Sequence, residues 1–294
     1  KRDVQEFQLH LMDNIFSLHE DLKNKTYKHG SYHAFNISDP KPRNIHKASV
    51  RDRLLHHAIY KILYPYFDKK FIFDSYSCRL NKGTHKALNR FKVFGDRVSK
   101  NHTKQCRVLK CDVRKFFASI NHNILLRILE KHVEDKNTLW LLDRIISSFV
   151  SRGALDTGLP LGNLTSQLLV NIYMNEFDQF VKHELKVKYY IRYADDFVIL
   201  SPKKAYLHTI YQYIVCFLHN NLKLQLHPDK VFIKTLSSGV DFLGWVHFPN
   251  HRVLRTVTKR RMLKNLALGG STAKHASYLG MLKHGNTYKI IKKL

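Results

Sequence analysis

The stretch YYIRYADDFVIL, residues 189–200, decides the fold of this chain. Two runs rich in β-branched and aromatic residues flank Ala194, Asp195 and Asp196, which predicts two β-strands joined by a tight turn. Such a turn brings both carboxylates to one end of a sheet. Because adjacent negative charges repel each other, the turn requires nearby cations, either lysine and arginine side chains or a bound metal ion.

The sequence on both sides of this hairpin alternates short β runs with amphipathic helices. The resulting β-α-β-β-α-β order, with the antiparallel pair in its middle, predicts the ferredoxin-like split arrangement. Its helices cover one face of the sheet and leave the other face open for a ligand. In chain order, the predicted elements are the strand RVLKCDV (residues 107–113), helices at 121–133 and 137–150, a long helix from Gly162 to Leu185, the hairpin, a helix at 204–221 and the strand KVFIKTL (230–236).

The two ends of the chain carry further elements. Helices are predicted from Val4 to Leu22, from Arg51 to Tyr66 and from near Thr84, and the proline-interrupted stretch SDPKPRNIHKAS, residues 38–49, predicts a hairpin or loop. After the central region we expect an apolar hairpin at residues 241–256. A basic helix from Thr258 to Leu268 and a break at Gly269-Gly270 follow it.

The composition predicts a polyanionic partner. The 294 residues include 50 Lys and Arg but only 23 Asp and Glu, which gives a formal net charge of +27. Nucleic acid is the first candidate, ahead of a basic soluble protein or a membrane-surface binder, because the basic residues are spread over the whole chain. With 44% hydrophobic residues, the chain is long enough for one core or for two to three subdomains.

The expected setting is the cytoplasm. The four cysteines form no CxxC pair, which favours a reducing compartment and gives no indication of a zinc site. No apolar run is long enough to span a bilayer, and the segment KRDVQEFQLH at residues 1–10 has no apolar signal core. Because the chain starts at Lys1 without a methionine, we expect the native chain to begin earlier.

Asp112 is the predicted third carboxylate of the site. It ends the strand that should neighbour the hairpin, so it is expected at the same end of the sheet as Asp195 and Asp196. Three carboxylates so arranged suit two Mg²⁺ ions that activate a 3′-hydroxyl and stabilise leaving pyrophosphate. The alternative is that the Asp-Asp pair is an ordinary solvated turn.

These residues together resemble the reverse transcriptases. The likeness lies in YADD between two apolar strands, in Asp112 followed by Phe116 and Phe117, and in the GxxxSQ helix between them. It runs from about Asn36 to Trp245 and more weakly to Tyr288. It implies an α+β, right-hand polymerase fold with fingers, a ferredoxin-like (split β-α-β) palm and a short helical thumb. The implied divisions are fingers at 1–105, palm at 106–240 with a finger-helix insertion near 121–160, a primer-grip hairpin at 241–256 and a thumb at 257–294.

The resemblance also implies roles in chemistry and nucleotide binding. Asp112, Asp195, Asp196 and the backbone carbonyl of Val113 would hold two Mg²⁺, which Mn²⁺ could replace, and Lys230 would protonate departing pyrophosphate. Phe117 would exclude a 2′-hydroxyl and so select dNTPs, although core packing explains one of Phe116 and Phe117. A solvated loop is the alternative for Lys41. The implied nucleotide-binding residues are Lys41, Arg43, Arg79, Phe117, Leu161, Gly162, Ser166 and Gln167.

Two further segments are implied to hold nucleic acid. DFLGW at residues 241–245 resembles the primer grip, with Phe242, Leu243, Gly244 and Trp245, where Gly244 allows close backbone approach. The basic residues at and after its end would follow the phosphates of a duplex. The alternative for them is a solvated helix face. These residues are Arg255, Lys259, Arg260 and Lys264.

The subtype resembled is the reverse transcriptase of diversity-generating retroelements, a bacterial, archaeal or phage type related to the group II intron enzymes. Where most reverse transcriptases carry Pro-Gln-Gly, this chain has Pro160, Leu161 and Gly162, and YLGMLKHGNTYKI at residues 278–290 adds to the likeness. The subtype implies copying of template-repeat and spacer RNA into adenine-mutagenised cDNA for mutagenic retrohoming. The implied partners are that RNA, cDNA and RNA–DNA heteroduplex, dNTPs and a basic oligomeric accessory variability protein, with no membrane.

Three alternatives remain open. A group II intron-like enzyme is disfavoured by the missing Pro-Gln-Gly and by the short region after the thumb. A retron enzyme is disfavoured because its NAxxH and VTG signatures are missing. A non-catalytic RNA-binding scaffold is disfavoured because such a protein gains nothing from concentrating carboxylates beside a phosphate path.

Overall fold

The computed structural model describes residues 2–38, 41–151, 153, 155–267 and 272–292. The chain divides into two compact units that alternate along the sequence. Unit 1 consists of Lys1–Phe73, Val113–Glu184 and Val215–Gln225, and unit 2 of Asp74–Asp112, Leu185–Ile214 and Leu226–Leu294. The division into fingers, palm and thumb by residue number stays a prediction.

Helices and strands alternate through the described residues. The α-helices are α1 (Arg2–Leu9), α2 (Leu11–Lys23), α3 (Val50–Asp68), α4 (Thr84–Val98), α5 (His122–Glu130), α6 (Lys136–Ile146), α7 (Leu164–Gln179), α8 (Lys204–Leu222), α9 (Thr256–Ala267), α10 (Thr272–Leu282) and α11 (Tyr288–Ile291). The strands are β1 (His33–Ile37), β2 (Arg43–Lys47), β3 (Arg107–Asp112), β4 (Tyr190–Tyr193), β5 (Asp196–Ser201), β6 (Phe232–Thr235), β7 (Val240–Phe242), β8 (Trp245–His247) and β9 (Arg252–Leu254).

The four-stranded sheet of unit 2 has the predicted ferredoxin-like arrangement. Its strand order is β4-β5-β3-β6, and every neighbouring pair is antiparallel. The apolar residues of β3 and β5 are almost completely buried, including Val108, Leu109, Val198 and Ile199. Helix α4 contributes Leu88 and Phe91 to the same core. The predicted α+β fold class is therefore confirmed, and the two central strands of the sheet are mostly apolar and buried.

Several predicted elements have different bounds in the structure. The predicted helix Val4–Leu22 is two helices, because His10 takes non-helical angles (φ −121°, ψ 39°) between α1 and α2. The long helix does not begin at Gly162, because Gly162 has φ +115° and Asn163 is extended; α7 starts at Leu164. It ends in a π-helical turn, Phe180–Glu184.

The predicted hairpin at 241–256 is a three-stranded meander, β7-β8-β9. A hairpin has one strand fewer than the structure shows, because each of these strands offers only three residues of β pattern. A backbone hydrogen bond from Phe248 N to His251 O, at 2.8 Å, closes the turn between β8 and β9. The predicted basic helix begins at Thr256, two residues earlier than expected, while Leu268, Gly269 and Gly270 lie outside the described residues.

The structure also bears on the predicted absence of a membrane span and of paired cysteines. In the part of the chain that the structure describes, no helix combines the length and apolarity needed to cross a bilayer. All four cysteines are free thiols, with Cys106 and Cys111 buried and Cys78 and Cys216 exposed.

A buried carboxylate organises the start of unit 1. Asp52, on α3, accepts hydrogen bonds from Tyr27 Oη at 2.7 Å, Ser49 Oγ at 2.6 Å and the backbone N–H of Gly30 at 3.1 Å. Because each of these donors precedes α3 in sequence, the carboxylate fixes the chain entering this helix.

The buried His56, on the next turn of α3, predicts acid sensitivity of unit 1. Burial, and next the neighbouring His29, lower the pKa of His56 to about 4, although Asp52 opposes the shift. The unfolded chain therefore takes up a proton below about pH 6.5 that the folded chain does not, so stability falls as pH falls from there toward 4. Between pH 7 and pH 5 we expect the wild type to lose about 2 kcal/mol more unfolding free energy than His56→Gln. Denaturant titrations at both pH values measure this difference; equal losses would contradict it.

Candidate active site

The two strands that carry the predicted carboxylates meet in unit 2. Asp112 is the last residue of β3 and Asp196 the first of β5, and the two lie directly opposite each other in the antiparallel register. Their side chains are 14% and 19% exposed. Asp195 precedes Asp196 in the turn after β4, so the structure brings the three carboxylate-bearing residues to one edge of the sheet.

Arg192 supports this turn from inside unit 2. Its side chain is 0% exposed, and it donates from Nη1 to the carbonyl of Ala194 at 3.1 Å and from Nη2 to Ser75 Oγ at 3.1 Å. Ala194 has φ +55°, a conformation that a residue with a Cβ keeps only when its surroundings hold it there. Backbone hydrogen bonds join Arg192 N to Asp74 O and Tyr76 N to Arg192 O, both at 3.0 Å. The segment around Ser75 thus lies alongside β4.

Two lysines neutralise the carboxylates. Lys230 Nζ lies 2.8 Å from Asp112 Oδ1, and Lys110 Nζ lies 3.3 Å from Asp196 Oδ1. Lys230 belongs to the short turn Pro228–Lys230, which is tied to β3 by a hydrogen bond from His227 N to Asp112 O at 2.8 Å. Lys110 was not identified from the sequence, although its position two residues before Asp112 on a strand puts both side chains on one face.

The electrostatics of Asp196 reflect this crowding. The pKa of Asp196 is raised to about 7, first by burial and then by the negative charges of Asp112 and Asp195, while Lys110 opposes the rise. Its Oδ1 atom is buried, and the neighbouring cation is Lys110, whose Nζ lies 3.3 Å away. An additional cation beside this buried oxygen would stabilise the charged form of the carboxylate.

The donor set therefore fits a hard divalent cation such as Mg²⁺. Within the described ranges, however, no three His, Cys, Asp or Glu side chains are already arranged as ligands around one point. The ammonium groups of Lys110 and Lys230 contact the carboxylates instead. The assignment of Asp112, Asp195, Asp196 and the carbonyl of Val113 as metal ligands stays a prediction.

In unit 1, the predicted phosphate-binding hairpin is joined to the loop before α7. The hairpin consists of β1 and β2, with Lys41 and Arg43 exposed near its tip. The backbone N–H of His46 donates to Leu161 O at 2.9 Å. Gly162 passes so close that a Cβ there would lie 2.7 Å from Ile45 Cγ2. The structure thus joins Leu161 and Gly162 to strand β2, whereas Lys41 and Arg43 lie toward the tip of the same hairpin.

Asn163 fixes that junction and was not identified from the sequence. Its buried side chain donates from Nδ2 to His46 O at 2.9 Å and accepts at Oδ1 from Ala48 N at 3.4 Å. An asparagine before a helix normally indicates an N-cap, but this side chain makes no cap hydrogen bond. The pattern therefore gave no signal for its contact with β2.

The other predicted nucleotide-binding residues differ in exposure. Phe116 is buried and Phe117 half-buried, as expected if only one of the pair packs in the core. On α7, Ser166 is buried and Gln167 half-buried, so a direct contact with a nucleotide is open to Gln167 and closed to Ser166 in this conformation. Arg79, in unit 2, donates from Nη1 to Ser75 O at 3.1 Å.

The predicted primer-grip residues lie in and around the β7–β8 turn, and the predicted thumb residues lie at and after the end of β9. Phe242 and Trp245 are buried in the core of unit 2, whereas Leu243 (φ +51°) and Gly244 (φ +85°) form the turn between β7 and β8. With open space beside its Cα, Gly244 leaves the backbone of this turn accessible. Arg255 pairs with Asp241 at 2.8 Å. The residues exposed on α9 include Lys259, Arg260 and Lys264, whereas Met262 of the same helix is buried.

Comparisons with known proteins agree with this geometry. Among curated proteins, the chain is 27% identical over 259 residues to Protein YkfC of Escherichia coli (strain K12), covering 74% of this chain and 65% of that protein. It is 25% identical over 293 residues to the group II intron-encoded protein LtrA of Lactococcus lactis subsp. cremoris, covering 75% and 46%. The chain thus spans between about half and two thirds of the length of these relatives.

A similar fold is found among solved structures. Apo telomerase from Candida tropicalis, truncated from its C-terminal domain, matches with a TM-score of 0.56 and 13% identity, covering 84% of this chain and 60% of that one. Residues 28–247 match the family model described as reverse transcriptase (RNA-dependent DNA polymerase). The chain therefore belongs to the reverse transcriptase family.

Proposed function

We propose that this chain is an RNA-directed DNA polymerase that extends a primer with dNTPs by two-metal phosphoryl transfer. The main support is the register of β3 and β5, in which Asp112 lies opposite Asp196. Asp195 directly precedes Asp196 in the sequence. Carboxylates concentrated in a chain of net charge +27 suit a reaction that needs cations between protein and phosphates. The family membership supports the same reaction class.

The chain's own residues hold and orient the reacting groups. Asp112, Asp195, Asp196 and the Val113 carbonyl would bind two Mg²⁺, or Mn²⁺ in their place, which activate the 3′-hydroxyl and stabilise the leaving pyrophosphate. Lys230, 2.8 Å from Asp112, would give a proton to the pyrophosphate. Lys110 favours the charged form of Asp196 in its buried position.

The other predicted site residues would contact the nucleotide and the nucleic acid. Lys41 and Arg43 on the β1–β2 hairpin suit the triphosphate, with the guanidinium offering a bidentate contact. The half-buried Phe117 suits the exclusion of a 2′-hydroxyl. Contacts with the nucleotide are also proposed for Arg79, Leu161, Gly162, Ser166 and Gln167, although Ser166 would need a local rearrangement. The primer grip is proposed to consist of Phe242, Leu243, Gly244 and Trp245. Contacts with the phosphates of the duplex are proposed for Arg255, Lys259, Arg260 and Lys264.

Primer extension tests the proposal. The full chain with a primed RNA template, dNTPs and Mg²⁺ is expected to extend the primer, and EDTA should abolish the product because the carboxylates then lack their cations. Ribonucleotides in place of dNTPs should support much less synthesis. RNA binding without extension would favour a non-catalytic RNA-binding scaffold and would contradict the polymerase.

The finer proposal is a cytoplasmic enzyme of the diversity-generating retroelement type. It would copy template-repeat and spacer RNA into adenine-mutagenised cDNA for mutagenic retrohoming, with a basic oligomeric accessory variability protein as partner. The motif around Leu161 supports it, because an apolar side chain cannot hydrogen-bond a nucleotide as glutamine can. The intron-encoded relative supports a group II intron-like enzyme as the second candidate.

The error spectrum of the cDNA separates these candidates. We expect errors concentrated opposite template adenines, and we expect Leu161→Gln to reduce them, because a restored hydrogen bond tightens the geometry at the nascent pair. Sequencing of cDNA from both proteins on one template measures this. A low and even spectrum in the wild type favours the group II intron-like enzyme, and an unchanged spectrum in Leu161→Gln contradicts the role of this position.

A further inference from the structure

Unit 2 contains a cavity of about 430 Å³ that the proposed polymerase reaction does not use. It lies at the β8–β9 turn, at the opposite end of β8 from the Leu243–Gly244 turn of the predicted primer grip. Its size suits one nucleotide-sized ligand. Its lining combines cationic, amide and aromatic side chains and includes no Asp or Glu.

Arg252 is the cation at its wall. The guanidinium donates from Nε to His284 O and from Nη2 to Asn89 Oδ1 at 3.1 Å, and it lies over the Trp245 ring at 5.8 Å. Nη1 is buried without a hydrogen-bond partner. Over the described ranges, no carboxylate lies within ion-pair distance of Arg252. A partly buried guanidinium that meets only neutral groups is stabilised by an anionic ligand.

His247 also lines this cavity and contains a second buried atom without a hydrogen-bond partner. The residue is 3% exposed, its ring lies 4.5 Å from that of Phe91, and its Nε2 has no hydrogen-bond partner. Burial, and next the charge of Arg252, lower the pKa of His247 to about 3, while a hydrogen bond with the backbone of Phe242 opposes this. The neutral ring that donates at Nδ1 leaves Nε2 as an acceptor, which suits a hydroxyl group.

Flat rings complete the lining. Phe248 stacks on His251 with ring centroids 4.9 Å apart and an interplanar angle of 13°. Phe91 is a second ring, and the exposed Lys92 adds a cation near the mouth. Aromatic faces beside cations are the combination that binds the base and the phosphate of one nucleotide.

We propose that this cavity binds a single phosphate-bearing nucleotide unit, with its phosphate at Arg252 and Lys92, a sugar hydroxyl at His247 Nε2 and its base against Phe248. A side-chain adjustment that opens these two buried atoms to the cavity would give each of them a partner of the right kind. Such a unit could be a free nucleotide or one residue of a nucleic-acid strand. The site is separate from the carboxylates, so binding needs no divalent ion.

Calorimetric titration of the full chain with AMP in EDTA tests this site. AMP is expected to bind, and inorganic phosphate to bind about tenfold or more weakly because it lacks base and sugar. Arg252→Gln should weaken AMP binding about tenfold or more. Asn250→Asp, an exposed turn residue at the cavity, should also weaken it by adding a negative charge. Lys204→Gln, which removes an exposed charge elsewhere in unit 2, should leave AMP affinity unchanged.

Competition with a short single-stranded RNA identifies the source of the nucleotide. If the RNA displaces AMP from the wild type more effectively than unlabelled AMP does, the site serves a strand; if it displaces AMP less effectively, the site serves a free nucleotide. The inference is overturned if AMP does not bind the wild type, if phosphate binds as tightly as AMP, or if Asn250→Asp and Arg252→Gln, with unchanged melting temperatures, bind AMP like the wild type.

Discussion

Replacement of Asp195 by asparagine is expected to lower primer extension on the order of 10³-fold, the effect of removing several kcal/mol of transition-state stabilisation. Asparagine keeps the size of the side chain but removes the negative charge that a divalent cation requires. Because Asp195 lies in a turn and not in the core, the folded structure should persist. Single-nucleotide incorporation rates measure the loss, and thermal melting checks the fold.

The matched control is Asp13→Asn, which makes the same chemical change on the exposed face of α2. It should leave the incorporation rate within about twofold of the wild type, as expected for a surface change away from any site. If Asp195→Asn and Asp13→Asn retained similar activity, the assignment of the carboxylate site would be wrong.

Arg192→Leu is expected to lower the free energy of unfolding by about 3 kcal/mol. The guanidinium is completely buried, and leucine cannot donate to Ala194 O or Ser75 Oγ. Loss of these contacts also releases the positive-φ turn that carries Asp195. We therefore expect synthesis to fall well below that of the wild type at temperatures where the variant is still folded.

Denaturant titration and primer extension on the same preparation measure both effects. Arg97→Leu, the same substitution at an exposed position of α4, is the control and should change stability by less than about 0.5 kcal/mol. If Arg192→Leu matched Arg97→Leu in stability and activity, Arg192 would not hold the turn.

The parts of the fold that the sequence predicts best are those with uninterrupted β pattern. The apolar runs around Asp195 and Asp196 and the strand ending at Asp112 are confirmed as β3, β4 and β5, in the predicted split order. Their pattern is clear because both faces of these strands are buried. The division of the meander into three strands and the break at His10 were missed, since three-residue strands and a single non-helical residue leave almost no periodic signal.

The supporting residues of the site were harder to predict than the carboxylates. Lys110 and Arg192 are buried charges inside strands, where propensity favours an apolar residue, and their partners are distant in sequence. Asn163 resembles a helix cap but binds β2 instead. Such side chains are identified by what they contact, and those contacts exist only after the sheet and the loop before α7 have formed.

The central claim is that Asp112, Asp195 and Asp196 hold divalent cations for nucleotidyl transfer. Anomalous diffraction from crystals of the full chain grown with Mn²⁺, primed RNA template and a dNTP tests it most directly. We predict anomalous peaks at coordination distance from the carboxylate oxygens of Asp112 and Asp195. Density that leaves these oxygens paired only to Lys230 and other side chains, with Mn²⁺ bound elsewhere or not at all, would contradict the account.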